Sequence, residues 1–333
     1  NNAGPGRGVT IHEMFHMYFP MYVRINERRY AWMDEGWADY ITALVTARFF
    51  EDNDEPLFSN YKAQVQGTIG RTSDLPLITS SQFMDNTNYG YASYPLPAFV
   101  YSMLHHHLGD ERFLRCYREY IRRWAYKSPT PYDFLYTFQD ASAQDLTWFW
   151  EPWFFDYGYP DVVVESVKKG KLTMVNRGNR PVPLRVQVDY EDGRTEELLA
   201  GASVWNKGDT YELKLPKGDI ARLSVNAGVP DGASLDNFYP PLTERYKQYD
   251  LSDDLPGSYR LIQAPLTVLV TEKEGLLHLR IPNAGVSSYL MPKGGNDFES
   301  LDGSIGVQFI REEGSTTGMT VQAFGYNLTA NKE

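Results

Sequence analysis

The sequence contains one cysteine and no long hydrophobic run. Cys116 is the only cysteine among 333 residues, which excludes an internal disulfide. Because it recurs with apolar residues at helical spacing, Cys116 is interpreted as a buried helix residue rather than a nucleophile. No stretch of about 18 consecutive apolar residues occurs, so no membrane span is expected.

Basic residues are also fewer than acidic ones. Lysine and arginine number 32 against 43 acidic residues, for a formal net charge of −11. This balance argues against a nucleic acid or an anionic membrane surface as a partner. The hydrophobic fraction of 42% and the aromatic fraction of 14% are typical of a globular protein with large cores. A chain of this length suits two or three domains.

The most informative pattern present is His-Glu-x-x-His near the start of the chain. If Ile11 to Tyr18 is helical, His12 and His16 lie one turn apart on the same face. Two imidazoles in that relation can bind one metal ion, and Glu13 would stand beside it. This is the HExxH pattern of zinc hydrolases, in which the glutamate is the general base.

A catalytic zinc site needs a third protein ligand and one position open to water. Eighteen residues separate His16 from Glu35, at the predicted start of a second helix that runs to about Phe50. A chain reversal between the two helices would bring Glu35 to the histidines, giving one Zn²⁺ per chain. Asp39, one helical turn beyond Glu35, could hold the outer ring nitrogen of a histidine ligand.

Together these residues resemble the M1-type gluzincin metallopeptidases, the group of aminopeptidase N and leukotriene A4 hydrolase. The resemblance rests on HExxH and on Glu35 within a W-x-x-E-G-x-A-x-Y context. The family's Tyr-Glu-Lys-Gly-Ala segment aligns with the chain from Tyr94, although Leu96 and Pro97 stand at its lysine and glycine positions. The resemblance therefore implies that Tyr94 stabilises the oxyanion, with Tyr89 and Tyr91 close by in sequence.

The function that the resemblance implies is zinc-dependent peptide hydrolysis, with aminopeptidase activity favoured and a peptide as the substrate. Glu13 would take the proton of the water that zinc activates. Family members bind the free amine of the substrate through a G-x-M-E-N segment upstream of HExxH, which this sequence does not contain. Because the chain begins shortly before His12, we expect it to be a piece of a longer protein. The alternatives are an endopeptidase, a hydrolase of another substrate, or an inactive zinc-binding scaffold, which the intact Glu13 disfavours.

The predicted fold class is α+β with several domains. Residues 1–159 are predicted to form a helical, thermolysin-like catalytic domain. Short alternating runs predict a β-sandwich over 160–245. Residues 250–333 resemble the small lipocalin-like β domains of secreted bacterial hydrolases, which implies a periplasmic or secreted bacterial protein.

Two further groups of polar residues are interpreted as structural. The run from His105 to His107 is predicted to lie on a helix surface, because consecutive helical residues cannot bind one metal together. Asp231 and Asp236 fall in a turn-rich segment, where solvated turn residues are favoured over a calcium site.

Overall fold

The computed structural model shows a chain that divides into two compact units, Asn1–Tyr239 and Pro240–Glu333. The first unit contains the helical region and the sandwich strands, and the second contains the remaining strands. The status of 160–245 as a domain of its own stays a prediction. The structure describes residues 6–50, 55–66, 68–70, 74–226, 228–247, 249, 251–282, 286–301, 303–323 and 325–333.

Helices dominate the first part of the chain, as predicted. In chain order they are α1 (Gly6–Phe15), α2 (Glu35–Phe50), α3 (Lys62–Gln66), α4 (Asn86–Ser93), α5 (Pro95–Leu108), α6 (Asp110–Trp124), α7 (Pro131–Ser142), α8 (Thr147–Trp150) and, in the second unit, α9 (Leu242–Tyr246).

The helix that carries HExxH begins five residues earlier than predicted and ends earlier as well. Helix α1 stops at Phe15, and His16 keeps helical backbone angles (φ −59°, ψ −14°). An irregular turn, Met17–Tyr22, follows, in which Phe19 has the extended angles φ −128° and ψ 119°. The chain therefore leaves the helix directly after the second histidine.

Helix α2 has the predicted bounds, and its position is set by a close approach to α5. A Cβ atom at Gly36 would lie 2.6 Å from the Pro97 side chain, so only glycine allows this approach. The next residue, Trp37, stacks on Tyr101, one turn beyond Pro97 in α5, with ring centroids 4.2 Å apart. Both rings are buried, and this packing holds the first turn of α2, with Glu35, against α5.

The prediction of surface histidines is wrong for His105. Its ring is buried and stacks on Phe113, with centroids 4.3 Å apart. Nδ1 hydrogen-bonds to the Tyr40 hydroxyl, and Nε2 lies 2.9 Å from the Asp110 carboxylate. Burial lowers the pKa of His105 to about 4. The helical pattern alone could not reveal that α2 and α6 cover this face.

The strands form two sheets and a barrel. In chain order they are β1 (Val162–Lys168), β2 (Lys171–Asn176), β3 (Leu184–Tyr190), β4 (Thr195–Ala200), β5 (Thr210–Lys214), β6 (Ile220–Val225), β7 (Phe238–Tyr239), β8 (Gly257–Leu261), β9 (Thr267–Lys273), β10 (Leu276–Ile281), β11 (Val286–Gly294), β12 (Asp297–Ser300), β13 (Ile305–Glu312), β14 (Ser315–Ala323) and β15 (Tyr326–Lys332).

The predicted sandwich is confirmed as two antiparallel sheets, β1-β2-β5 and β4-β3-β6-β7. Strand β3 alternates buried and less buried residues along its length, as a strand with one core-facing side should. The apolar core of the sandwich is continuous with that of the helices.

The predicted small β domain is a closed antiparallel barrel of strands β8 to β15, in which β15 pairs with β8. Its interior is filled by apolar side chains, among them Tyr259, Phe298 and Phe309. Within the described ranges, no helix is both long and apolar enough to cross a bilayer.

A buried ion pair joins the helical region to the sandwich. The Arg180 guanidinium donates to the Asp74 carboxylate and lies over the Trp153 ring, 4.9 Å from its centroid. The Arg180 side chain is 0% and that of Asp74 2% exposed. Removing one member would leave the other charged and buried, which typically costs about 3–5 kcal/mol.

We therefore expect Arg180→Met to lower the free energy of unfolding by about 3–5 kcal/mol. The matched control is Arg222→Met, which breaks a partly exposed pair with Asp189 on the same sandwich and should cost about 1 kcal/mol or less. Urea unfolding followed by tryptophan fluorescence measures both. Equal losses in the two variants would contradict a special role for the buried pair.

Candidate metal centre

The three predicted zinc ligands lie together at the contact between α1 and α2. Nε2 of His12 is 3.1 Å from Oε2 of Glu35, and Nε2 of His16 is 3.4 Å from the same oxygen. The two imidazole rings are 5.0 Å apart between centroids. All three side chains are partly exposed, by 16% to 21%, so the cluster is open to water and to a substrate.

These distances fit a zinc ion. Ligands at about 2.0–2.1 Å from a tetrahedral zinc lie roughly 3.3 Å from one another, close to the separations of both histidine nitrogens from Glu35. Two imidazoles and one carboxylate are also a known donor set of catalytic zinc sites. The residues present therefore fit the metal that HExxH implies, with room left for one further ligand.

Each histidine is oriented through its other ring nitrogen. Nδ1 of His12 is 3.1 Å from the Asp39 carboxylate, the partner expected from the sequence. Nδ1 of His16 is 2.8 Å from the carbonyl oxygen of Phe19, which is available because Phe19 has left the helix. Such contacts fix the tautomer that presents Nε2 to a metal. Burial raises the pKa of Asp39, and the neighbouring His12 opposes that shift.

Tyr94 stands at the junction of α4 and α5, beside the cluster. Its side chain hydrogen-bonds to Glu35, and its ring lies parallel to that of His12 with centroids 6.2 Å apart. Burial, and then the Glu35 carboxylate, raise the pKa of Tyr94. The hydroxyl therefore keeps its proton at neutral pH and can act as a hydrogen-bond donor.

The two neighbouring tyrosines differ in their surroundings. Tyr89 packs edge-on against Tyr94, with centroids 6.2 Å apart, and hydrogen-bonds to it. Tyr91 is buried and feels the charge of Asp74. Tyr89 is therefore a second phenol of the site, which the sequence pattern did not assign.

The remaining predicted residue, Glu13, is exposed on α1 directly after His12. Among the residues that the structure describes, nothing hydrogen-bonds or ion-pairs with its carboxylate. Asp34, which the sequence did not single out, is buried before Glu35. Burial, and then the Glu35 charge, raise the pKa of Asp34 to about 7. The acidic groups around the cluster thus range from a solvated carboxylate to one buried beside it.

Residues 6–153 match the model of the peptidase family M1 domain. This stretch is an M1-type metallopeptidase domain. Of the solved structures that resemble the chain, aminopeptidase A from Legionella pneumophila, in complex with aspartic acid, matches with a TM-score of 0.50 at 18% identity. The match covers 72% of this chain and 29% of that one, and it shows a shared fold.

Curated relatives with sequence similarity are themselves named as aminopeptidases. Aminopeptidase M1-A of Oryza sativa subsp. japonica is 26% identical over 173 residues, which is 50% of this chain and 19% of that protein. The mitochondrial aminopeptidase 2 of Saccharomyces cerevisiae is 24% identical over 181 residues, 52% of this chain and 18% of that protein. The matched region thus spans about a fifth of the length of these relatives.

The contact of Asp39 with His12 makes a prediction about metal affinity. We expect Asp39→Ala to weaken zinc binding about 10- to 100-fold, because the His12 ring loses the partner that orients it. Competition against a chromophoric chelator measures the zinc affinity. Glu111→Ala, which removes an exposed carboxylate from α6, is the control. Unchanged zinc affinity in Asp39→Ala would show that the contact does not support the site.

Proposed function

We propose that this protein is a zinc-dependent peptidase, with one Zn²⁺ held by His12, His16 and Glu35. The observation that carries the proposal is the meeting of two imidazole nitrogens with one carboxylate oxygen at 3.1 and 3.4 Å. Glu13 directly follows His12 on α1, and Tyr94 at the start of α5 hydrogen-bonds to Glu35. These are the parts that hydrolysis of an amide requires.

Zinc bound there would polarise the scissile carbonyl and lower the pKa of a water molecule from about 15.7 toward about 7. The protein's own groups would supply the rest. Glu13 takes a proton from the attacking water and delivers it to the leaving amine. Tyr94 donates its hydroxyl hydrogen to the oxygen on which negative charge develops. Asp39 and the Phe19 carbonyl keep the imidazoles in place throughout.

Within this function we favour an aminopeptidase. The support comes from the relatives, since the names of those described above state that activity. An aminopeptidase must recognise a free α-amine, whereas an endopeptidase need not. The resemblance of residues 250–333 to domains of secreted hydrolases supports the further proposal of a periplasmic or secreted bacterial protein.

Replacing the general base separates catalysis from zinc binding. We expect Glu13→Gln to retain one zinc per chain and to lose peptide hydrolysis, because an amide cannot accept the proton of the attacking water. Metal analysis and release of p-nitroaniline from an aminoacyl anilide measure the two properties. Glu111→Gln is the matched control and should keep both.

The same assay decides between the alternatives. Cleavage of a peptide only when its amino terminus is free supports the aminopeptidase, and equal cleavage of its acetylated form supports an endopeptidase. A wild-type protein that binds zinc and cleaves neither peptide would be an inactive scaffold, and the proposed function would fail.

The hydroxyl groups of Tyr94 and Tyr89 are expected to contribute differently to kcat. Tyr94→Phe should lower kcat by about 10²–10³-fold, the usual cost of losing one oxyanion donor, with zinc content unchanged. Tyr89→Phe removes a hydroxyl one ring further away and should lower kcat less than about tenfold. If kcat falls more in Tyr89→Phe than in Tyr94→Phe, Tyr89 is the residue that donates to the oxyanion.

A further inference from the structure

We propose a second metal site in the first unit, a calcium site formed by Asp161, Asp231 and Asp236. The site is formed by other residues than those of the HExxH cluster, where the segment before β1 meets the loop that follows β6. It is independent of the proposed peptidase activity. The prediction that Asp231 is a solvated turn residue is wrong, since the structure buries it.

The three carboxylates converge on one point. One oxygen from each lies within 4.8 Å of the corresponding oxygens of the other two. Calcium binds oxygen ligands at about 2.3–2.6 Å, so ligands on opposite sides of the ion lie up to roughly 5 Å apart. The separations are those of groups that can share one calcium ion.

Burial makes this arrangement costly without a cation. Asp161 is 6% and Asp231 is 4% exposed. Each oxygen of the Asp231 carboxylate accepts one backbone hydrogen bond at 3.0 Å, from Val162 and from Ala233. Hydrogen bonds of this kind support the charge but do not neutralise it. Buried charges in proteins are normally paired or bound to a metal.

The two buried carboxylates of the cluster lack a basic partner. Among the described residues, no lysine, arginine or histidine forms an ion pair with Asp161 or Asp231. Arg177 lies near the cluster, but it pairs with Asp236, at 3.5 Å, and its own side chain is 60% exposed. The charges of Asp161 and Asp231, when both are ionised, are therefore not balanced by an ion-paired base.

Two buried oxygen atoms at the site lack a partner. Among the described residues, none donates a hydrogen bond to Oδ1 of Asp161 or to Oδ1 of Asn237. Asn237 is 4% exposed, and its side-chain amide already donates to Asp231, which places its head group on the cluster. Asn237 is not one of the three acidic residues, so its unpartnered amide oxygen is a separate indication of a ligand. Side-chain amide oxygens are common calcium ligands.

The donor chemistry selects the ion. All the available donors are oxygens, which favour Ca²⁺, Mg²⁺ or Mn²⁺ over zinc. Magnesium requires near-ideal octahedral geometry at about 2.0–2.1 Å, whereas calcium accepts wider and less regular sites. The ligand atoms are widely spaced and come from separate loops. Both features favour calcium over magnesium.

An ion here would join two parts of the first unit. Asp231 is also held by Gln66 of α3, whose amide makes two hydrogen bonds of 2.6 and 2.9 Å to the Asp231 backbone. Calcium would thus tie the start of β1 to the loop after β6, beside the helical region. We expect its effect to be seen as stability of the first unit.

Calcium binding can be measured directly by isothermal titration calorimetry of the zinc-loaded protein with CaCl₂, in buffer freed of calcium on a chelating resin. We expect one calcium per chain in the wild type and at least tenfold weaker binding in Asp161→Asn. Glu165→Gln is the matched control, because it removes an exposed carboxylate from the adjacent strand β1, and it should bind as the wild type does.

Thermal unfolding in the same buffers separates a calcium ligand from a merely structural aspartate. Calcium at 10 mM should raise the wild-type melting temperature by about 5 °C. Asp161→Asn should show no such rise. Without calcium, that variant should melt at or above the wild-type temperature, because a buried charge has been removed.

Three results would overturn the proposal. The first is a wild type that shows no heat of calcium binding. The second is full binding in both Asp161→Asn and Asp236→Asn, and the third is an equal response to MgCl₂. Loss of peptidase activity with calcium binding intact would contradict the proposed function and leave this site unaffected.

Discussion

The candidate metal centre depends on two imidazole nitrogens that approach the same carboxylate oxygen. Nε2 of His12 and Nε2 of His16 both lie within 3.4 Å of Glu35. A neutral imidazole with its proton on Nδ1 has only a lone pair on Nε2, so two such rings and a carboxylate would confront one another with no hydrogen between them. Either a proton or a cation must occupy the space, and metal and protons therefore compete for the cluster. Acceptors at Nδ1, as found here for both rings, favour the tautomer whose Nε2 lone pair is free for a metal.

The fold supplies the rigidity that this convergence requires. Glu35 opens α2, and α2 is held against α5 by the close approach at Gly36 and by the stacking of Trp37 on Tyr101. Tyr94 directly precedes α5, so the same packing sets its distance from the cluster. The second histidine is fixed differently, by a carbonyl that becomes available only because the backbone turns out of the helix at Phe19. A buried aromatic core and one irregular turn thus determine the geometry of a site that is itself partly exposed.

Local spacing could be read from the sequence because it depends on helix geometry alone. The pair His12 and His16, and the pair Glu35 and Asp39, each lie four residues apart, and the helix then dictates a shared face. The strands of the sandwich and barrel were likewise visible as alternation. The role of the Phe19 carbonyl was not visible, because any residue offers a backbone acceptor. The burial of His105 and Asp231 was not visible either, because their covering residues come from elements distant in sequence.

The buried acidic residues of the first unit show why one cluster differs from the others. The buried Asp74 is met by Arg180, a guanidinium with no exposed surface, and the half-buried Asp39 is met by the imidazole of His12. In both cases a single basic partner is provided from another element of the same unit. Asp161 and Asp231 share the burial but face each other, and the charge of Asp161 raises the pKa of Asp231 further. Two buried carboxylates that face each other, with no ion-paired base on either, form an arrangement that a cation from solution would complete.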